Sequence, residues 1–299
     1  MGDSGAALMD VAVAKPPLVA TLLRLGRVSN LPTVWTNVLA GVVLAGGEWH
    51  TWRTGVALLA MSLFYVGGMY LNDYFDRAID ALERPSRPLP SAQISAQAVV
   101  GIGFALLAAG IVLMASMGTA AALAGTALAG VIIAYDLFHK ANPLAPVVMG
   151  LCRALVYCGA AAAAVGSVSG ALVIAALTLL AYVAGLTYAA KQESLDKVGN
   201  LWPLLVLATP MVLGLPALQQ GMTAIAVYLA LIGVSTYAIY LLCKRPFAGA
   251  VPQAVGWLIA GISLVDATLL ASAGAIVPAL AAVGGFVLTL ILQKYIAGT

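Results

Sequence analysis

The chain has 299 residues, 63% of them hydrophobic and 8% charged, with a formal net charge of +3 and a mean hydropathy of +1.03. Soluble domains carry about a quarter of their residues as charges, so composition excludes a soluble enzyme and leaves a polytopic membrane protein. So small a net charge gives no footprint for a nucleic-acid partner.

Residues 1–25 are expected to form an N-terminal cytoplasmic segment rather than a secretory signal. Asp3 and Asp10 stand where a basic leader would be, and Pro16-Pro17 interrupts the first apolar stretch. Windows of about 20 apolar residues, the length that crosses a bilayer, follow in chain order. They lie at about 31–47, 54–72, 97–116, 118–137, 144–165, 169–188, 202–218, 222–242, 254–272 and 275–294. Gly46-Gly47, Gly118, Gly166 and Gly221 mark tight turns between them. Pro203, Pro210 and Pro216 fall in one window, which is therefore expected to kink. The fold class expected is an all-α transmembrane bundle of nine core helices, with a tenth possible. No polar loop is long enough for a soluble module, so residues 1–299 form one membrane-embedded domain.

Every second loop is basic. Lys15, Arg24 and Arg27 precede the first span, and Arg77, Arg84 and Arg87 follow the second. Lys140, the pair Lys191 and Lys197, and the pair Lys244 and Arg245 continue the alternation, while the intervening loops offer only Arg53. The positive-inside rule places the N-terminus and these loops in the cytoplasm; a bacterial source would make the membrane the inner one. Arg24, Arg27 and Asn30 read as interface anchors. Cys152, Cys158 and Cys243 have no metal-ligand spacing and read as small buried hydrophobes.

The segment from Asn72 to Asp80 concentrates acid at the end of the second span. If 72–83 continues that helix, Asn72, Asp76, Asp80 and Asp73 share an arc of about 100°. Carboxylates beside a bilayer are costly without a compensating cation. Oxygen ligands without sulfur suit Mg²⁺, which commonly completes its shell with water and phosphate oxygens. The prolines of Glu83-Arg84-Pro85-Ser86-Arg87-Pro88-Leu89-Pro90 end the helix. Arg84 and Arg87 then either offer forked donors to a phosphate or anchor the loop in the cytoplasm.

Asn72-Asp73-x-x-Asp76-x-x-x-Asp80, followed by Arg87-Pro88-Leu89-Pro90-Ser91, resembles the first aspartate-rich motif of the UbiA superfamily of intramembrane prenyltransferases. The run is most similar to that of its chlorophyll and bacteriochlorophyll synthase branch. The resemblance implies about nine helices around a central cavity and two facing aspartate-rich loops that bind an isoprenoid diphosphate through Mg²⁺. It also implies departure of the diphosphate and capture of the allylic cation by a lipophilic acceptor, aromatic or carboxylate. On this resemblance Asp73, Asp76 and Asp80, with Asn72, hold the first Mg²⁺, while Arg84, Arg87, Lys140 and Lys191 meet the diphosphate. Tyr135 and Lys140 loosely match a family Tyr followed by a basic residue, so Tyr135 would turn its ring to the cation.

The second loop departs from the pattern. Asp196 and Gly199 match, whereas the first aspartate has no clean counterpart and Glu193 stands in for it. A second, weaker Mg²⁺ site at Glu193 and Asp196, direct charge compensation by Lys191, and loss of ionisation all stay open. Loss of ionisation would make the chain a membrane carrier of a prenylated or amphipathic molecule; a transporter is the third reading. Asp136 and His139 are candidates to orient or deprotonate an acceptor, and an idle loop histidine is the alternative for His139. Within the spans, Arg153 is expected to face a cavity or a partner. Asn37 faces the same cavity or makes a helix–helix hydrogen bond. Asp266 has no evident partner in the sequence.

Overall fold

A computed structural model describes residues 16–140, 142–191 and 202–298, and among these every regular element is helical. Helix α1 (Leu18–Leu25) leads through a 3-10 turn, Val28–Asn30, into α2 (Leu31–Leu44). The rest of the front half is α3 (Trp52–Glu83), α4 (Ala96–Ala115) and α5 (Thr119–Phe138). Helices α6 (Ala145–Val165) and α7 (Gly170–Lys191) follow. A short α8 (Thr209–Leu213) comes before α9 (Met222–Lys244), α10 (Ala250–Ser272) and α11 (Ile276–Gln293).

Eight of these helices are long and apolar enough to cross a membrane; 28–44 and 204–219 are shorter apolar stretches. The ten windows read from the sequence thus become eight long helices and two short elements. The expected kink at 202–218 is a full break: two 3-10 segments, Trp202–Ala208 and Leu215–Gln219, flank α8. Pro210 and Pro216 are the second residues of their elements, within the first turn, where an N–H has no intrahelical partner to lose.

The local signals are physical. Ser95 Oγ accepts from the Ala98 amide and starts α4. Gly166 ends α6 at φ +77°, a left-handed geometry that a side chain would strain. The lone basic residue of the opposite loops also has a task. Arg53 donates through Nε to the Ala163 carbonyl (2.7 Å) and through Nη2 to that of Met117 (2.8 Å). It satisfies carbonyls at two helix ends that no intrahelical donor reaches.

Two large cores hold the bundle, beside a small cluster of Leu25, Tyr70 and Val99. One joins α3, α4 and α5 to α2 and α6; the other gathers α6, α7, α9, α10 and α11. Helix α10 is buried along most of its length. Helices α2 and α6 approach so closely that a Cβ on Gly41 would lie 2.7 Å from the Tyr157 carbonyl oxygen and 2.9 Å from its Cα. Only backbone movement relieves that contact. Gly41→Ala is therefore expected to cost about 1–3 kcal/mol and to lower the melting temperature in detergent. Gly233→Ala, inside α9 with open space around it, is expected to raise it, since alanine favours a helix interior by about 1 kcal/mol. Equal shifts for the two would refute the packing argument.

Helix α3 positions the site. Its 32 residues span about 48 Å, against about 30 Å for a hydrocarbon core. The rise from Trp52 to Asn72 already consumes about 30 Å, so the last turns, with their aspartates, emerge at one end of the bundle. The helix runs on through Glu83, as the acidic spacing predicts.

Candidate active site

A cavity of about 880 Å³ opens at that end of the bundle. Asn72, Asp76, Asp80, Glu83, Arg84 and Arg87 line it from α3 and the turn beyond; Tyr135, His139 and Lys140 from the end of α5; Arg153 from α6; Lys191 from α7. Val183, Leu186, Val255, Ile259 and Ile262 make an apolar portion of the wall. A polar end and an apolar wall in one cavity suit an amphiphile with an anionic head.

The three aspartates Asp73, Asp76 and Asp80 are buried and each has taken a cation. Asp76 meets Lys140 Nζ at 3.1 Å and His139 Nε2 at 3.4 Å. Asp80 accepts from Arg87 Nη1 at 2.7 Å. Asp73 meets Arg27 at 3.1 Å and Arg87 at 3.5 Å. It lines a smaller adjoining cavity of about 290 Å³ with Arg24, Arg27 and Arg87. The expected convergence of Asn72, Asp73, Asp76 and Asp80 on one ion is thus not what the side chains do. Among the described residues, no three Asp, Glu, His or Cys side chains gather closely enough to hold a metal by themselves. Like charges on successive turns repel, and basic neighbours draw them apart. Asn72, Asp76 and Asp80 still present oxygen donors to the large cavity. That is a fair fit to Mg²⁺, which needs one or two carboxylates beside phosphate oxygens.

Asn72 has a further partner: Nδ2 donates to Asp136 Oδ1 at 3.2 Å, while Asp136 Oδ2 is buried without a hydrogen bond. The Tyr135 and His139 rings stack with centroids 4.9 Å apart, so His139 is engaged by both Tyr135 and Asp76. Lys191 Nζ donates to the His139 carbonyl at 3.1 Å and bridges α7 to the end of α5. Glu193 and Asp196 lie outside the described residues.

Arg27 and Asn30, read from the sequence as interface anchors, both line the cavity instead, and Arg27 reaches the acidic row. Arg27 is the clearer case. It lies in the left-handed region (φ +42°) between α1 and the 3-10 turn, and that turn swings its guanidinium onto Asp73 and Asn72. Burial opposes its charge, but Asp73, with Tyr65 and Tyr135, outweighs burial and raises its pKa above the usual arginine value. A basic residue before the first span fits an interface anchor equally well, so no sequence signal separates the two.

Asn37 does not line the cavity. It is fully buried and joins Arg153 to Asp266: its Oδ1 accepts from Arg153 Nη1 at 2.9 Å, and its Nδ2 donates to Asp266 Oδ2 at 2.8 Å. Asn37 thus makes helix–helix hydrogen bonds, Arg153 both lines the cavity and has a partner, and Asp266 acquires one.

Comparison with known proteins adds the following. Residues 34–266 match the model of the UbiA prenyltransferase family. Digeranylgeranylglyceryl phosphate synthase from Halobacterium salinarum is 32% identical over 167 residues, 53% of this chain and 58% of that protein. The enzyme of the same name from Methanothrix thermoacetophila is 40% identical over 91 residues, 30% of this chain and 34% of that protein. The matched stretches therefore span between a third and three fifths of these relatives. Their name differs from the chlorophyll synthase branch that the first motif resembles. Among solved structures, a chain from work on digeranylgeranylglyceryl phosphate synthase in membranes aligns with a TM-score of 0.61 at 21% identity, covering 86% of this chain and 98% of that one. A UbiA homologue from Archaeoglobus fulgidus, bound to GPP and Mg²⁺, aligns at 0.52 with 14% identity, covering 88% and 99%. These two likenesses are of fold.

Proposed function

The chain belongs to the UbiA prenyltransferase family, and from that premise we propose that it transfers a prenyl group from an isoprenoid diphosphate to a lipophilic acceptor within the membrane. The observation that carries this is the cavity itself. Its acidic row on α3 faces Lys140 on one side and Arg87 on the other, above an apolar wall. That arrangement suits a diphosphate at the charged end and a hydrocarbon chain below it.

Asn72, Asp76 and Asp80 would hold Mg²⁺, and Glu193 with Asp196 a second ion. When bound, the metal would neutralise charge building on the leaving diphosphate. Arg84, Arg87, Lys140 and Lys191 take phosphate oxygens; for Arg87 and Lys140 this means exchanging a carboxylate for a phosphate partner. Val183, Leu186, Val255 and Ile259 keep water from the allylic carbon, and the Tyr135 ring offers its face to developing positive charge. The N-terminus and both acidic loops lie on the cytoplasmic side in this reading. Homologues named for a glyceryl phosphate lipid make a prenylglyceryl phosphate the first acceptor to try.

The test is a radiolabelled allylic diphosphate with purified protein in nanodiscs, Mg²⁺ and a panel of acceptors. We expect release of inorganic diphosphate coupled to a labelled lipid, both abolished by EDTA. Tight binding of the diphosphate with no release under any acceptor would leave a carrier instead.

A further inference from the structure

The diphosphate reading leaves Arg153, which lines the cavity, without a task. Arg153 sits eight residues along α6 from Ala145, about 12 Å of helix rise. Lys140, Lys191 and Arg87 occupy the ends of other elements. Its surroundings are built with care. Nη1 donates to Asn37 Oδ1 at 2.9 Å, and the guanidinium carbon lies 5.5 Å from the centre of the Tyr65 ring. Asn37 Nδ2 donates to both oxygens of Asp266, at 3.0 and 2.8 Å, and the Tyr157 hydroxyl donates to Asp266 Oδ1. Asn37, Tyr157 and Asp266 are all 0% exposed.

Two features separate this from a plain structural ion pair. The carboxylate never touches the guanidinium, because the Asn37 amide stands between them; direct forked pairing is the stronger arrangement and is not used. Of five guanidinium N–H groups, one makes a hydrogen bond among the described residues, and Arg153 lines the cavity. Arg153 also lies at the junction with an apolar side pocket of about 80 Å³, along with Tyr65, Met69, Tyr135 and Met149. A cation here opposes an allylic cation, so its natural ligand is an anion distinct from the diphosphate.

We propose that Arg153, oriented by Asn37, Asp266 and Tyr157, binds an anionic oxygen of the acceptor, a phosphate or a carboxylate, and so selects acidic lipids over neutral ones. Asn37, Asp266 and Tyr157 are positioning residues. The inference rests on the prenyltransferase reading but concerns the acceptor alone.

The experiment measures equilibrium binding to protein in nanodiscs with Mg²⁺ and an unreactive thiolodiphosphate analogue of the allylic substrate. The probes are a prenylglyceryl phosphate, a prenylated carboxylic acid and the neutral prenylglycerol. We expect wild type to bind at least one acidic probe 10-fold or more tightly than the alcohol, and the preferred probe tells phosphate from carboxylate. Arg153→Gln removes that preference while analogue and alcohol affinities stay within about twofold. Arg153→Lys restores part of it, and Asp266→Asn weakens the acidic probe alone. A wild type without preference for either acidic probe overturns the inference. So does an Arg153→Gln protein that keeps the preference, or one in which analogue, alcohol and acid weaken together while Arg153→Lys rescues nothing. Failure of the prenyltransferase reading shows separately, as no analogue binding and no diphosphate release by wild type.

Discussion

Asp76→Asn is expected to lower prenyl transfer by about 10³-fold, the largest effect of any single change in the proposed site. The substitution conserves shape and removes one negative charge. That charge stands between Asn72 and Asp80 on the cavity face of α3 and meets Lys140 and His139 from α5. Without it, two basic groups lose their partner and the proposed Mg²⁺ site loses a carboxylate. Removing one preorganised electrostatic group from a catalytic site costs about 10²–10³ in turnover; the upper end applies because this carboxylate meets two basic groups and, in the proposed reading, would also hold the metal. The assay is single-turnover release of labelled diphosphate at saturating Mg²⁺, beside a melting curve to show that the bundle persists. Turnover within threefold of wild type would remove Asp76 from the site. Asp76→Glu, which keeps the charge on a longer arm, should recover part of the rate.

The alternation of basic and neutral loops marked which ends of the spans share a side, and Arg84, Arg87, Lys140 and Lys191, which line the described cavity, come from those ends. Spacing alone placed Asn72, Asp76 and Asp80 on one face of α3, because i, i+4 periodicity is a local property of a helix. Asp73 shows the limit of that argument. An arc of about 100° is wide enough to straddle two cavities, and Arg27 and Arg87 pull Asp73 into the smaller one. Neither arginine is fixed by helix periodicity: Arg27 turns on a left-handed residue and Arg87 on a proline-rich turn. The window at 202–218 looked like a kinked span because its composition is apolar, but its prolines divide it into two 3-10 segments around a five-residue α-helix. Composition reports hydropathy and says nothing of where a helix breaks.

Asp266 was opaque in the sequence for a different reason: its partners are 229 and 109 residues away. Asp266→Ala is expected to destabilise the protein by about 3–5 kcal/mol, as breaking one side of a buried charged network does. The carboxylate takes the Asn37 amide on both oxygens and the Tyr157 hydroxyl on one. Alanine leaves both donors in a place with no exposure, where no water replaces the lost acceptor. It also strips Arg153 of the charge that balances it through Asn37. Thermal unfolding in detergent should show a clear fall for Asp266→Ala. The Asp266→Ala, Tyr157→Phe double variant should be less destabilised than the sum of its singles, because deleting the hydroxyl removes a donor that would otherwise be orphaned. Simple additivity would mean that the two side chains do not share one network, and an Asp266→Ala melting curve that overlies wild type would mean that the α2, α6 and α10 junction is held by packing alone.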